Sequence, residues 1–362
     1  MQQMKRIGML TSGGDCQALN AAMRGVVKGL SHNVDELEIY GFYNGYKGLI
    51  YGDYRLLTSK DFSGILTKGG TILGSSRQPF KLMRVPDENG LDKVEAMKQT
   101  YHKLKLDCLV ILGGNGTQKT ANLLREEGLN VIHLPKTIDN DIYGTDITFG
   151  FYSAINVACA AIDCIHTTAA SHNRVFIVEV MGHKVGWLTL YAGISGGSDV
   201  ILIPEIPYDV DEVCRVLKKR KKEGKPFSIL AVAEGAISKE EAALSKKEFK
   251  AARATMKEPS VSYRLANEIS ERTGQEIRVT IPGHFQRGGS PCAYDRMLTT
   301  RFGTAAAELI ANKKFGCMVA LQNNRIVPVP LEEVAGKLKT VSLDCDEIRA
   351  ARAMGISLGQ AE

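Results

Sequence analysis

Short apolar runs that end at a glycine or a polar residue recur along this chain, with helical patterns between them. In chain order the runs cover residues 7–10, 38–42, 108–112, 131–134, 175–180, 200–203, 228–233 and 277–281. Runs of this length and with these boundaries indicate buried strands, and the intervening helices supply the crossovers that parallel strands require. The pattern predicts an α/β fold of two facing Rossmann-like lobes with mostly parallel, doubly wound sheets.

The chain has 362 residues, of which 44% are hydrophobic, so it can form roughly two domains with large cores. The alternation of strands and helices starts again after residue 150. We therefore expect one lobe at 1–150, completed by about 286–336. The second lobe is expected at 151–285, completed by helices in 337–362.

The net charge of +6 is compatible with a small anionic substrate. The basic run Lys218-Lys219-Arg220-Lys221-Lys222 has no interleaved aromatic residues, which argues against nucleic-acid binding. We predict that this run is a solvated helix face.

Eight cysteines are scattered along the chain without a C-x-x-C pair, which favours reduced thiols over disulfides or a zinc site. Residues 1–6 contain no apolar region of the kind found in signal peptides. No apolar stretch approaches the roughly 18 residues of a membrane span. These features predict a cytoplasmic protein without a membrane partner.

The segment 135–141, Pro-Lys-Thr-Ile-Asp-Asn-Asp, directly follows the apolar run 131–134. It places the carboxylates of Asp139 and Asp141 two residues apart, with Lys136 close by. Carboxylates can hold Mg²⁺ or accept a hydroxyl proton, and lysine can stabilise phosphate charge. Such a segment suits phosphoryl transfer, while the alternative is a helix-capping loop, since Thr and Asp both cap well.

Glycine loops occur at 13–14, 69–74 and 113–116, and we expect each of them to lie just past the end of a strand. Glycine lets the backbone approach a phosphate closely, and a helix that starts there adds oriented N–H groups. None of the loops matches the P-loop or the dinucleotide-binding motif, so plain tight turns stay an alternative.

Cationic residues occur in loops of the second half, among them Arg174, Arg278 and Arg287. The guanidinium group binds two phosphate oxygens at once, which suits a phosphate monoester. Taken singly, each arginine is more often a surface ion pair than a phosphate ligand.

Taken together, these residues resemble the phosphofructokinase family over nearly the whole chain. The motifs that carry the resemblance are LTSGGD at 10–15, GGTILGSSR at 69–77, GGNGT at 113–117, PKTIDND at 135–141, EVMG at 179–182, HFQRGGSP at 284–291 and YDR at 294–296. The resemblance implies an enzyme that phosphorylates the 1-hydroxyl of fructose 6-phosphate with Mg²⁺, in glycolysis. The first lobe would hold the phosphoryl donor and the second the fructose 6-phosphate.

The resemblance also implies residue roles. Asp139 would be the base that accepts the sugar hydroxyl proton, with Thr137 at the transferring phosphoryl group and Lys136 beside them. The metal would lie near Asp141 and Asn115. Residues expected to line the donor site are Gly14, Arg77, Gly114, Asn115, Gly116 and Thr117. Residues expected to hold the sugar are Met181, Gly182, His183, Glu234, His284 and Arg287.

Arg174 and Arg278 would reach the sugar phosphate from a neighbouring subunit, so the resemblance implies a homodimer or homotetramer with shared active sites. His183 stands where many members of the family have an arginine. This departure, with Asn115, leaves a non-catalytic sugar-phosphate sensor as a remote alternative.

The phosphoryl donor is expected to be ATP, with pyrophosphate as the alternative. Asn115 stands where ATP users of the family usually have a metal-associated aspartate. Pyrophosphate users of the family carry an acidic residue at the next position, which would crowd and repel the α-phosphate of ATP. Here that residue is Gly116, which has no side chain. Lys136 resembles the pyrophosphate enzymes, but an added positive charge can aid either donor.

Overall fold

The computed structural model describes residues 5–34 and 36–361. Residues 1–4, on which the expectation of no signal peptide partly rests, lie outside the described residues. Asp35 and Glu362, the last residue of the predicted second lobe, also lie outside them.

Each apolar run predicted as a strand forms one. The strands are β1 (Lys5–Ser12), β2 (Leu37–Phe42), β3 (Tyr54–Leu57), β4 (Cys108–Gly113), β5 (Val131–Pro135), β6 (Val175–Val180), β7 (Val200–Leu202), β8 (Ser228–Ala233), β9 (Ile277–Thr280), β10 (Cys317–Gln322) and β11 (Arg325–Pro330). Strands β3, β10 and β11 have no counterpart in the prediction.

The helices connect these strands. They are α1 (Leu19–Asn33), α2 (Tyr46–Tyr51), α3 (Lys93–Lys103), α4 (Asn115–Glu126), α5 (Phe151–His172), α6 (Trp187–Ser195), α7 (Val210–Lys222), α8 (Lys239–Ala242), α9 (Lys246–Ala254), α10 (Val261–Thr273), α11 (Ala293–Ala311), α12 (Leu331–Val334) and α13 (Asp346–Ala353). Single turns of 3₁₀-helix lie at Ser59–Phe62, Phe80–Leu82 and Gly283–Arg287.

The chain divides into two compact units. Unit 1 comprises Met1–Ser153 and Arg287–Lys339, and unit 2 comprises Ala154–Gln286 and Thr340–Glu362. The boundaries expected from the sequence were placed after residues 150, 285 and 336. The ligands expected for the two lobes stay predictions.

Unit 1 is built on a sheet whose described strands run in the order β11-β10-β5-β4-β1-β2-β3. The five strands from β10 to β2 pair in parallel, whereas the edge strands β3 and β11 pair antiparallel. The predicted α/β class with mostly parallel sheets is confirmed. The antiparallel pairing of β11 follows from the two residues between β10 and β11, which are too short for a crossover helix.

The strand order of unit 1 reverses at β1, because β2 lies on one side of it and β4 on the other. Ligands of open α/β sheets bind outside the carboxyl ends of the strands at such a reversal. The register aligns Ser12 of β1 with Gly113 of β4, and Gly113 with Pro135 of β5. Two of the glycine loops and the segment 135–141 therefore leave the sheet side by side.

Unit 2 is built on a sheet in which β7, β8, β6 and β9 are neighbours in that order and pair in parallel. Val180 at the end of β6 is aligned with Ala233 at the end of β8. The loops that begin at Met181 and Glu234 therefore start next to each other. All residues of β6 and β8 are buried, as are those of β4 in unit 1, which is typical of strands covered on both faces.

Of the helices predicted in 337–362, the described residues contain one, α13. Helix α12 ends at Val334, and the chain becomes helical again only at Asp346. Gly336 has φ +88°, which a helix does not accommodate, and Leu338 forms an isolated antiparallel bridge with Ile142. The intervening segment thus pairs with the loop after β5.

The basic run lies in the last turns of α7, where Lys218, Lys219, Lys221 and Lys222 are exposed, as predicted. Arg220 differs, because it forms an ion pair of 2.7 Å with Asp199. Within the described part of the chain all eight cysteine thiols are free. Of the helices that the structure describes, none combines the length and the apolar surface needed to cross a lipid bilayer.

Candidate active site

The glycine loops at 13–14 and 69–74 are joined by hydrogen bonds in unit 1. The Gly13 N–H donates to the Ser76 carbonyl over 3.1 Å, and the Ser75 hydroxyl donates to the Gly13 carbonyl over 2.5 Å. The Thr11 hydroxyl donates to the Gly74 carbonyl over 2.7 Å. The second loop thus supports the first at the end of β1.

Two cations lie against the loop after β1. Lys136 Nζ donates to the Gly14 carbonyl, and Arg287 Nη1 donates to the Asp15 carbonyl over 2.9 Å. A Cβ added to Gly14 would lie 2.8 Å from Arg287 Nη1, so a larger residue at position 14 would displace the guanidinium. Burial lowers the pKa of the Lys136 ammonium, with the Asp139 carboxylate among the groups that oppose the shift. The Arg287 guanidinium therefore supplies positive charge at the loop, whereas burial disfavours the charged form of Lys136.

The loop after β4 leads into helix α4, which begins at Asn115. The first turn of a helix presents unpaired N–H groups and partial positive charge to anions. The Thr117 hydroxyl oxygen lies 3.6 Å from the position that a Cβ on Gly13 would take, and Lys136 Nζ lies 3.8 Å from it. Helix α4, the β1 loop and Lys136 thus converge on one point.

Gly116 lies in that first turn, and no heavy atom lies within 4 Å of the position that its Cβ would take. The side chain of the neighbouring Asn115 is held by one hydrogen bond, which its Nδ2 donates to the Lys337 carbonyl over 2.8 Å. The space next to Gly116 is open, as expected from the sequence.

The Gly113 carbonyl ties the β4 loop to the segment 135–141. It accepts from the Lys136 N–H over 3.0 Å, and His133 Nε2 lies 3.0 Å from it. Burial lowers the pKa of His133 to about 3, so this imidazole is neutral and can donate a single N–H. His133 is a supporting residue that the sequence analysis missed, because in sequence it is one polar residue inside an apolar strand.

The segment 135–141 turns back on itself after β5. The Asp139 N–H donates to Thr137 Oγ1 over 3.0 Å, and Thr148 Oγ1 donates to the Thr137 carbonyl over 2.8 Å. Thr137 is buried and Asp139 is half-buried. Both are held by local hydrogen bonds, which suits a positioned base better than a mobile loop.

Asp141 is buried, and among the described residues its Oδ1 has no hydrogen-bond partner. Burial raises the pKa of its carboxyl, whereas the positive charges of Lys136 and Lys339 oppose the shift. An unsatisfied buried carboxylate oxygen fits a cation ligand. Within the described residues no group of three or more His, Cys, Asp or Glu side chains could hold a metal. Magnesium does not require one, since it keeps several waters and is completed by substrate phosphates.

Asp295 fixes the start of helix α5. Its Oδ2 accepts from the Ser153 N–H over 2.8 Å and from the Ser153 hydroxyl over 2.5 Å, and its Oδ1 accepts from the Gly150 N–H over 3.1 Å. Burial raises the pKa of Asp295, and these hydrogen bonds oppose the shift. The YDR motif of the sequence therefore has a structural role in unit 1.

In unit 2 the Glu234 carboxylate organises the loop after β6. Its Oε1 accepts from the Gly182 N–H over 3.2 Å and from the His183 N–H over 2.8 Å. His183 has φ +53°, a left-handed conformation that a non-glycine residue rarely adopts. Gln286 Oε1 accepts from the Met181 N–H over 3.2 Å. Gln286 is fully buried, and its contact with Met181 was missed because no spacing in the sequence indicates it.

The two arginines expected at a subunit boundary lie together on the surface of unit 2. Both Arg174 and Arg278 form ion pairs with Glu276, at 2.8 Å for Arg174 Nε. His284 and Arg77 are exposed, His284 in unit 2 and Arg77 in unit 1. Arg287, expected at the sugar, contacts the β1 loop in unit 1, and its role at the sugar stays a prediction.

The structure thus brings the predicted residues together in two sets. In unit 1 the set is Gly14, Gly114, Asn115, Gly116, Thr117, Lys136, Thr137, Asp139, Asp141 and Arg287, and in unit 2 it is Met181, Gly182, His183 and Glu234. The first set combines a positive loop, a helix start and carboxylates, which suits a polyphosphate and a proton acceptor.

Comparison with known proteins agrees with this chemistry. Residues 6–310 match the family model described as Phosphofructokinase. A protein of Spirochaeta thermophila named ATP-dependent 6-phosphofructokinase is 57% identical over 362 residues, which cover 98% of each chain. ATP-dependent 6-phosphofructokinase 3 of Bacteroides thetaiotaomicron is 48% identical over 98% of this chain and all of its own length.

A solved structure supports the same fold. The crystal structure of Pichia pastoris phosphofructokinase in the T-state superposes with a TM-score of 0.79 at 31% identity. The match covers 98% of this chain and 37% of that longer one.

Proposed function

This chain belongs to the phosphofructokinase family, and we propose that it is an ATP-dependent 6-phosphofructokinase. It transfers the γ-phosphoryl group of ATP to the 1-hydroxyl of fructose 6-phosphate and gives fructose 1,6-bisphosphate, ADP and a proton, a step of glycolysis. The observation that carries the proposal is the alignment of Ser12, Gly113 and Pro135. It places two glycine loops and a carboxylate segment at one sheet edge, in a chain whose relatives are named for this activity.

The reaction needs positioning and charge neutralisation more than covalent chemistry, because the transition state is loose. Asp139 accepts the proton of the sugar hydroxyl as that oxygen attacks phosphorus. Thr137, Lys136 and the first turn of α4 hold the transferring phosphoryl group and the donor phosphates. Gly14 keeps the backbone close to the donor, and Arg77 lies at the end of the supporting loop.

Asp141 and Asn115 are the residues that would hold Mg²⁺, since Asp141 has an unsatisfied buried oxygen and Asn115 has an amide oxygen. A bound magnesium ion would neutralise charge on the donor phosphates during transfer. Lys136 and the N-terminus of α4 supply additional positive charge from the chain itself.

The donor is ATP and not pyrophosphate because Gly116 leaves room at the start of α4. The named relatives are described as ATP-dependent. The lysine at position 136 is the residue type that resembles the pyrophosphate enzymes. Here Lys136 donates to the Gly14 carbonyl and so supports the glycine loop itself.

We assign the sugar to unit 2, to Met181, Gly182, His183, Glu234 and His284. Arg174 and Arg278 are assigned to the sugar phosphate of a neighbouring subunit in a homodimer or homotetramer. They lie side by side on Glu276, and a phosphate would compete with that carboxylate for both guanidinium groups. We propose that the reaction takes place in the cytoplasm.

The direct test is an assay of the purified protein with fructose 6-phosphate and either ATP or pyrophosphate at matched Mg²⁺. We expect formation of fructose 1,6-bisphosphate with ATP and at least about 10-fold lower kcat/KM with pyrophosphate, or about 1.4 kcal/mol. Equal or faster turnover with pyrophosphate would contradict the donor assignment. Absence of turnover with both would contradict the function.

Glu234→Ala is expected to raise the KM for fructose 6-phosphate about 10-fold or more. Two backbone donors lose a charged acceptor, and each such hydrogen bond contributes roughly 1.5–3 kcal/mol. Glu234→Gln keeps the Oε1 acceptor and should recover most of the loss. Steady-state kinetics on both variants measure this, and an unchanged KM in the alanine variant would remove Glu234 from the sugar site.

A further inference from the structure

A short segment late in unit 1 connects the start of α4 with the loop that carries the catalytic carboxylates. We call residues 337–339 the strap. The Lys337 carbonyl accepts from Asn115 Nδ2 over 2.8 Å, and Leu338 forms a bridge with Ile142. The Lys339 N–H donates to the Asp141 carbonyl over 2.9 Å. The strap therefore touches both residues proposed to hold the metal, although it lies about 200 positions further along the chain.

The side chain of Lys339 makes the most extensive contacts of the strap. Its Nζ donates to Asn140 Oδ1 over 2.9 Å, to the Thr145 carbonyl over 2.9 Å and to the Asp146 carbonyl over 2.7 Å. A lysine ammonium has three N–H donors and no acceptor. The three acceptors thus match the three donors of the charged form, whereas burial lowers the pKa of Lys339 to about 7 and the carboxylates of Asp146 and Asp141 oppose that shift.

Asn140, the side-chain partner of Lys339, lies between the two catalytic carboxylates. Its φ is +55°, in the left-handed region that few non-glycine residues adopt and that asparagine adopts with the help of side-chain hydrogen bonds. Its Oδ1 also accepts from the Thr148 N–H over 3.0 Å and its Nδ2 donates to the Asp146 carbonyl over 3.3 Å, so the Asn140 side chain is held at both ends. Because the backbone reverses at Asn140, the directions of Asp139 and Asp141 depend on this residue keeping its conformation.

We propose that Lys339 is a positioning residue for phosphoryl transfer, which holds Asn140 in its left-handed conformation and thereby orients Asp139 and Asp141. This inference rests on the proposed function of the same loop. Lys339 Nζ contacts Asn140 and the carbonyls of Thr145 and Asp146, so it acts on the two carboxylates through the backbone of Asn140. A misplacement of about 1 Å at reacting groups can lower a rate by about 100-fold. We therefore expect the loss of Lys339 to lower kcat.

The test compares Lys339→Met with the matched variant Lys5→Met. Lys5 lies at the amino end of β1, at the opposite edge of the same sheet, and its largely buried side chain is 3.9 Å from Asp107. We expect Lys339→Met to lower kcat at least about 10-fold while the KM values for ATP and fructose 6-phosphate change less than about 3-fold. Lys5→Met should keep the wild-type kcat, and the Tm of both variants is recorded.

A second variant covers the case in which Lys339→Met does not fold. Asn140→Gly accepts the positive φ without strain but loses the Oδ1 acceptor. We expect at least about a 5-fold lower kcat with little change in KM, and little further loss when Lys339→Met is added to it, since both act on one contact.

The outcomes separate the two proposals. A wild-type protein without phosphoryl transfer overturns the proposed function. An active wild type, with kcat in the Lys339→Met variant no lower than in Lys5→Met at a similar loss of Tm, overturns the positioning role alone. Where Lys339→Met does not fold, an unchanged kcat in Asn140→Gly overturns it instead.

Discussion

Asp139→Asn is expected to lower kcat by about 10²- to 10⁴-fold, the range that a general base contributes. The amide keeps the shape of the side chain but cannot accept the proton of the sugar hydroxyl. The KM for ATP and the dissociation constant for fructose 6-phosphate should stay close to wild type. The surrounding hydrogen bonds persist, because the loop is held by the Asp139 backbone N–H and by Thr137.

The measurement is kcat by a coupled assay, together with sugar binding by calorimetry. Asp107→Asn is the matched control, since Asp107 lies at the amino edge of the same sheet, where its Oδ2 accepts from the Arg6 N–H over 2.8 Å. That variant should lose stability without losing kcat. A near-normal rate in Asp139→Asn would exclude Asp139 as the base.

Gly116→Asp is expected to reduce kcat/KM for ATP about 100-fold and to raise use of pyrophosphate relative to ATP. A carboxylate at this place meets no protein atom within 4 Å of its Cβ, so it extends into the open space beside the donor. There it repels the α-phosphate of ATP, which pyrophosphate lacks. An acidic residue in the first turn of α4 is favourable for the helix, so the variant should be at least as stable as wild type.

Gly116→Asn separates size from charge in this experiment. If crowding dominates, asparagine reduces ATP use as much as aspartate does. If repulsion dominates, only aspartate has the large effect. Intact ATP kinetics in Gly116→Asp, with an unchanged Tm, would show that the open space at Gly116 does not select the donor.

Much of the fold is predictable from local sequence, because burial and chain direction leave a local pattern. The strands β1, β2, β4, β5, β6, β7, β8 and β9 appear as apolar runs with turn residues at their ends. Strands β3, β10 and β11 were not predicted. The edge strands β3 and β11 are only partly buried, so their apolar patterns are weak. Strand β10 is a buried apolar run that the sequence analysis did not identify. The break between α12 and α13 also follows from a tertiary contact, the bridge between Leu338 and Ile142.

The candidate site also contains some residues that the sequence indicates and others that only the structure shows. Asp139, Asp141 and the glycine loops stand out in the sequence because their residue types and their places after strands suggest phosphate chemistry. Lys339, His133 and Gln286 do not stand out, because a lysine, a histidine or a glutamine gains its role only from the groups around it. Arg287 was noticed for its charge, but its contact with the Asp15 carbonyl spans 272 positions.

The sequence alone determined the class of fold, the order of its strands along the chain and the residue types available for phosphoryl transfer. All three depend on patterns within about 20 neighbouring residues, where burial, helix periodicity and turn chemistry act directly. The tertiary structure decided which strand ends are aligned, which cation faces the loop after β1, and which lysine holds Asn140. Those contacts join residues 100 to 270 positions apart, and they exist only once parallel strands pair in one register and bring their carboxyl ends to a common edge.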